Sequence, residues 1–135
     1  MSDPIEDIEG IGPGYATKLR DAGITNTGKF LERAGTSKGR EALATETGIS
    51  IKLILTWANM ADLMRISGVG GQYAELLVAA GVDTIKELRT RNAANLAVKM
   101  EAINAEQQLT KASVSEARVQ GWIDQAKTME PTITH

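Results

Sequence analysis

Near the start of the chain, Ile8-Glu9-Gly10-Ile11-Gly12-Pro13-Gly14-Tyr15-Ala16 returns 58 positions later as Ile66-Ser67-Gly68-Val69-Gly70-Gly71-Gln72-Tyr73-Ala74. The correspondence continues through Leu19 and Leu77, Ala22-Gly23-Ile24 and Ala80-Gly81-Val82, and Phe30 and Leu88. Farther on the offset becomes 65, pairing Ile49-Ser50 with Val114-Ser115 and Trp57 with Trp122. Self-similarity of this kind constrains a fold more tightly than composition, because each half must bury the same apolar positions in the same way. The 135 residues read as two related units, 1–65 and 66–135, packed as one globular domain. The second unit carries about seven extra residues, placed near Asn92 to Leu109.

Each unit reads as short helices punctuated by glycine. Asp3 is expected to cap a first helix with Pro4 in its first turn, and Gly10 to stop it. Pro13 opens a second helix whose Tyr15, Ala16, Leu19 and Ala22 share a face, with Gly23 at a left-handed C-cap. Tyr73, Ala74, Leu77, Ala80 and Gly81 repeat that arrangement, and Asp83 is expected to cap a segment from Thr84 to Arg91. Leu31 to Thr47 reads as a degenerate second hairpin broken at Gly35-Thr36-Ser37 and stopped at Gly48. The helix over 51–64 is apolar on two stripes, Leu53-Trp57-Met60-Met64 and Ile51-Leu55-Ala58, which predicts burial between the units. Its counterpart, Glu116 to Met129, has the single stripe Val119-Trp122-Ile123-Ala126, which predicts an outer position with Ser113 and Glu116 as a capping box. Aromatics make up only 4% of a chain that is 42% hydrophobic, a palette suited to close-packed helices rather than sheets. The expected class is all-α.

Without cysteine there is neither a disulfide nor a thiolate metal site. The N-terminus lacks a basic region followed by an apolar one, and Lys52, Thr56 and Asn59 interrupt the longest apolar stretch, so a cytoplasmic protein with no signal peptide and no membrane contact is expected. The formal net charge is −2, which opposes DNA binding driven by cationic side chains replacing counterions.

In Gly10-Ile11-Gly12 and Gly68-Val69-Gly70 an apolar residue is clamped between glycines, so that a tight turn buries one side chain while the flanking backbone takes up positive φ. The helices opening at Pro13 and Gly71 aim free amides and a positive dipole end outward, giving each turn the makings of an anion seat. This pattern resembles the helix-hairpin-helix motif found in DNA polymerase beta, DNA ligases and many repair proteins. The whole chain, with a tryptophan in the last helix of each unit, resembles the bacterial family DUF4332. The resemblance implies phosphate contacts through the amides of Gly10, Gly12, Gly14 and Tyr15 with Lys18 nearby, and through Gly68, Gly70, Gln72 and Tyr73. It also implies backbone carbonyls for a monovalent cation at Glu6, Ile8 and Ile11, and at Met64, Ile66 and Val69.

The chain departs from the motif where DNA-binding hairpins place Lys or Arg just after the turn, for here stand Gly14 and Gln72. Asp3, Glu6, Asp7 and Glu9 crowd the approach to the first turn, where like charge repels phosphate. Lys29, Arg33, Lys38 and Arg40 cluster but are offset by Glu32 and Glu41, which reads as a solvated helical face. The sole histidine, His135, is the last residue, no serine occupies an elbow motif, and the dinucleotide fingerprint would need a preceding strand. The expectation is therefore a protein with no enzymatic activity, cofactor or metal. Two functions compete, a sequence-nonspecific DNA-backbone binder in repair or maintenance and a protein-interaction or self-assembling scaffold module, against hairpins kept only as packing corners. For the scaffold, the longer second unit suggests an interface around Leu96, Met100 and Ile103.

Overall fold

A computed structural model describes residues 2–134, and His135 lies outside them. The described residues form one 3-10 turn, Ile5–Asp7, and eight α-helices. These are α1 Pro13–Asp21, α2 Thr27–Ala34, α3 Ser37–Thr47, α4 Ile51–Leu63, α5 Gly71–Ala79, α6 Ile85–Leu88, α7 Ala93–Gln107 and α8 Glu116–Ala126. There is no strand among the described residues, so the class is all-α.

Six of these helices open on a side chain that accepts a backbone N–H three residues on. Asn26, Thr36, Ser50, Thr84, Asn92 and Ser115 bind the amides of Lys29, Gly39, Leu53, Glu87, Asn95 and Arg118. Each such cap satisfies a donor that the helix itself leaves unpaired. The helices α1 and α5 differ, opening on Gly12 and Gly70 with no side-chain cap.

Three local expectations need correction. The N-terminal segment is a single 3-10 turn, because Asp3 spends its backbone on Thr27, exchanging hydrogen bonds with the Thr27 hydroxyl and N–H instead of capping a helix. The segment after Gly81 shrinks to the one-turn α6, capped by Thr84 and not Asp83. α8 is capped by Ser115 and not Ser113. The extra length of the second half falls in α7, 15 residues against 11 in α3, and in the connection that follows it.

α4 is the central element, packed on α2, α3 and α5. Its C-terminal half, Trp57 to Met64, is buried, whereas Ile51 at its start stays 43% exposed. α8 lies on the outside, with Val119, Trp122, Ile123 and Ala126 buried against α7 and α6. The supposed apolar surplus of the second half is core: Leu96 and Met100 are 2% and 0% exposed, and Ile103 packs half-buried against them.

Buried polar groups tie residues 132–134 to the body of the fold. Arg40 does not lie on a solvated face but is buried, donating to the carbonyls of Ala34 and Gly35 and to that of Thr134. Burial lowers its pKa from the ordinary arginine value. Asp62 is also buried, and its charge is met by Arg65, the Ile85 N–H and the Thr132 hydroxyl.

Candidate functional site

The two glycine turns are built by the same local bonds. Ile11 N–H donates to Ile8 C=O at 3.2 Å, and Val69 N–H to Ile66 C=O at 3.0 Å. The third residue of each turn has positive φ, +97° at Gly10 and +93° at Gly68, where a side chain would be strained. The second glycine of each pair does not share this conformation: Gly12 and Gly70 are extended, with φ of −82° and −89°. A Cβ at Gly12 or Gly70 would meet nothing within 4 Å, so the body of the fold does not require glycine there. What glycine provides at these positions is bare backbone at the helix start.

Behind each turn sits a tryptophan. An added Cβ on Gly10 would lie 3.3 Å from Trp57 Nε1, and one on Gly68 3.3 Å from Trp122 Nε1. Tyr15 meets Trp57 edge-on with ring centres 5.0 Å apart, and Tyr73 meets Trp122 at 5.1 Å. Such edge pairs contribute about 0.5–1.5 kcal/mol beyond their buried area. Each turn is thus seated on a buried indole, with Ile11 and Val69 turned into the core.

Around this shared frame the chemistry diverges. At the first turn Gly10, Gly12, Gly14, Tyr15 and Lys18 are all exposed. Gly12, Gly14 and Tyr15 stand at the start of α1, whereas Lys18 lies in its last turn. At the second turn Gly68, Gly70 and Gln72 are exposed and Tyr73 is half-buried, and a cleft of about 530 Å³ opens beside them. Asp3, Glu6, Asp7 and Glu9 line this cleft together with Gly68, Gly70, Gly71, Gln72 and Tyr73. The acidic segment preceding the first turn therefore faces the second, because Gly71, lacking a side chain, lets the Asp7 carbonyl approach α5 closely. Glu6 is held by a two-pronged contact from Arg20, whose hydrogen bonds keep its carboxyl below the ordinary glutamate range. Glu75 on α5 is displaced the other way, raised by burial and then by the nearby Glu9 carboxylate.

Two residues that sequence spacing did not suggest complete the second turn. Arg118 places its guanidinium 5.5 Å from the centre of the Tyr73 ring and donates to its hydroxyl at 2.6 Å. Gln125 accepts from Ser67 N–H at 3.0 Å and donates to Ser67 C=O at 3.2 Å. Both come from α8, 40 residues or more away in sequence, and the positions 65 earlier hold Leu53 and Met60.

Three further arginines are engaged by other groups of the chain. Arg33 pairs with Glu46 and reaches the Ala22 carbonyl, Arg91 pairs with Glu87 and reaches that of Gly81, and Arg89 binds the Ala126 and Met129 carbonyls at the end of α8. Among the described residues no helix is long and apolar enough to cross a membrane.

No curated protein and no solved structure matches this chain. A family model described as "Domain of unknown function (DUF4332)" matches residues 9–129, a span holding both turns, both tryptophans and all eight helices, and the chain belongs to that family.

Proposed function

We propose that this chain is a non-catalytic binding module made of two tandem helix-hairpin-helix units, residues 1–65 and 66–135, and that its ligand is a protein. The tandem reading is supported by the matched turns, each seated on a tryptophan and each followed by an α-helix that, unlike the six others among the described residues, opens without a side-chain cap. One observation carries the choice of ligand: Asp3, Asp7 and Glu9, with the Arg20-paired Glu6, line the cleft at the second turn, where a second phosphate would have to sit. Against such a field a few amide contacts do not hold a polyanion.

A second reading, a sequence-nonspecific contact with one DNA phosphate, is favoured by the first turn alone. There the exposed amides at Gly12, Gly14 and Tyr15 begin α1, and Lys18 stands one turn further on. Titration of labelled duplex and single-stranded DNA at low ionic strength separates the two. The protein-binding reading expects no saturable complex. Binding that weakens steeply with salt and is lost in Gly12→Glu but kept in Gly70→Glu would overturn it in favour of the second.

A further inference from the structure

We propose that the groove between the α2–α3 junction and the end of α4 is a binding site for an extended peptide carrying a hydroxyl, an apolar side chain and a free backbone edge in succession, filled here in cis by the chain's own residues 130–134. The site is separate from both glycine turns and goes beyond the function proposed for them.

Three contacts define what the groove reads. The Thr132 hydroxyl donates to Asp62 Oδ1 at 2.6 Å, and Ile133 is 8% exposed. Thr134 N–H donates to Gly35 C=O at 2.8 Å, and its own carbonyl accepts from Arg40 at 2.7 Å. Gly35 keeps the groove open, since a Cβ there would sit 2.6 Å from the Thr132 carbonyl oxygen.

The receiving groups are held in place by bonds within the body. Asp62 is fixed by Arg65 and the Ile85 N–H, and Arg40 by the Ala34 and Gly35 carbonyls. Both are at least nine-tenths buried. A preorganised pair of buried polar groups reads an incoming strand without ordering itself first. The end of α8 does not depend on the tail either, because Arg89 caps the Ala126 and Met129 carbonyls. Release of residues 130–134 therefore unwinds no helix, and costs the contacts above together with the bond from Arg65 to the Glu130 carbonyl at 2.8 Å.

A fluorescent peptide of sequence Glu-Pro-Thr-Ile-Thr-His, titrated by anisotropy against the full chain carrying Ile133→Asp, tests the site in trans. The variant is expected to bind it, and the unaltered chain about a hundredfold more weakly, because the tethered segment competes at high effective concentration. Replacing the peptide's first threonine by valine is expected to weaken binding about tenfold, through loss of a hydrogen bond to a charged acceptor. A folded variant that binds no peptide, or binds the valine peptide equally well, overturns the proposal. Should Ile133→Asp not fold, amide exchange in the unaltered chain decides: Thr134 N–H exchanging about a hundredfold faster than Ile123 N–H supports a displaceable segment. Equal protection would make the tail a fixed part of the fold and overturn the site.

Discussion

At the first glycine turn Tyr15 is 36% exposed, and its hydroxyl makes no hydrogen bond among the described residues. At the second, Arg118 lies on Tyr73, Gln125 clamps Ser67, and carboxylates line the cleft alongside. The backbone of the two turns is nonetheless the same, down to the positive φ of the third residue and the distance to the indole behind it. The difference teaches that the geometry of such a turn is set from within, by glycine and tryptophan. What the turn can bind is set from outside, by side chains that local spacing does not control.

The strongest way to break the likeness is to remove what sits behind each turn. Trp57→Ala and Trp122→Ala are each expected to cost about 3–5 kcal/mol in urea unfolding, as buried tryptophans usually do. Each ring is 2% exposed and performs the same task. A gap of more than about 2 kcal/mol between the two would mean that one turn does not rest on its indole.

A smaller effect separates the turns. At Gly71 an added methyl would overlap the Asp7 carbonyl oxygen, whereas at Gly14 it would meet nothing within 4 Å. Gly71→Ala is expected to destabilise by about 1–3 kcal/mol, the cost of overpacking. Gly14→Ala is expected to be neutral or to stabilise by up to about 1 kcal/mol, by reducing the freedom of the unfolded chain. Equal thermal shifts for the two would show that the N-terminal segment does not press on the second helix start.

These contrasts mark where the sequence was legible. The offset of 58 located both turns, and the absence of a usable capping side chain at Gly12 and Gly70 could be read directly. Gly23 and Gly81 end their helices with positive φ, as their spacing implied. Local competition among polar residues was harder to read, since Ser113 and Ser115, or Asp83 and Thr84, offer the same oxygen one or two residues apart, and only the packed chain selects one. Charge was misread for a different reason. Arg40 sits among lysines in sequence, yet the carbonyls that hold it belong to residues 34, 35 and 134. The acidic segment likewise precedes one turn in sequence but faces the other in space.

The smallest expected effect is a difference in the sign of pH dependence between Glu75 on α5 and Glu6 beside α1. On α5, burial raises the Glu75 carboxyl above the ordinary glutamate value of 4.5, and Glu9 adds to the rise. The folded state then binds this proton more tightly than the unfolded chain, so the contribution is full below pH 4.5 and is lost as pH rises through the folded value. Beside α1, hydrogen bonds from Arg20 hold Glu6 below 4.5, so its contribution is present above that pH and fades as pH falls through the lowered folded value. The counterpart of Glu75 at the first turn is Thr17, which does not titrate. Glu75→Gln is therefore expected to raise the melting temperature at pH 7 and to leave it unchanged at pH 4 or below, whereas Glu6→Gln lowers it slightly at pH 7. Melting curves for both variants between pH 3 and 8 check this, and a Glu75→Gln chain that melts lower than the parent at pH 7 would show that burial and Glu9 do not penalise the Glu75 charge.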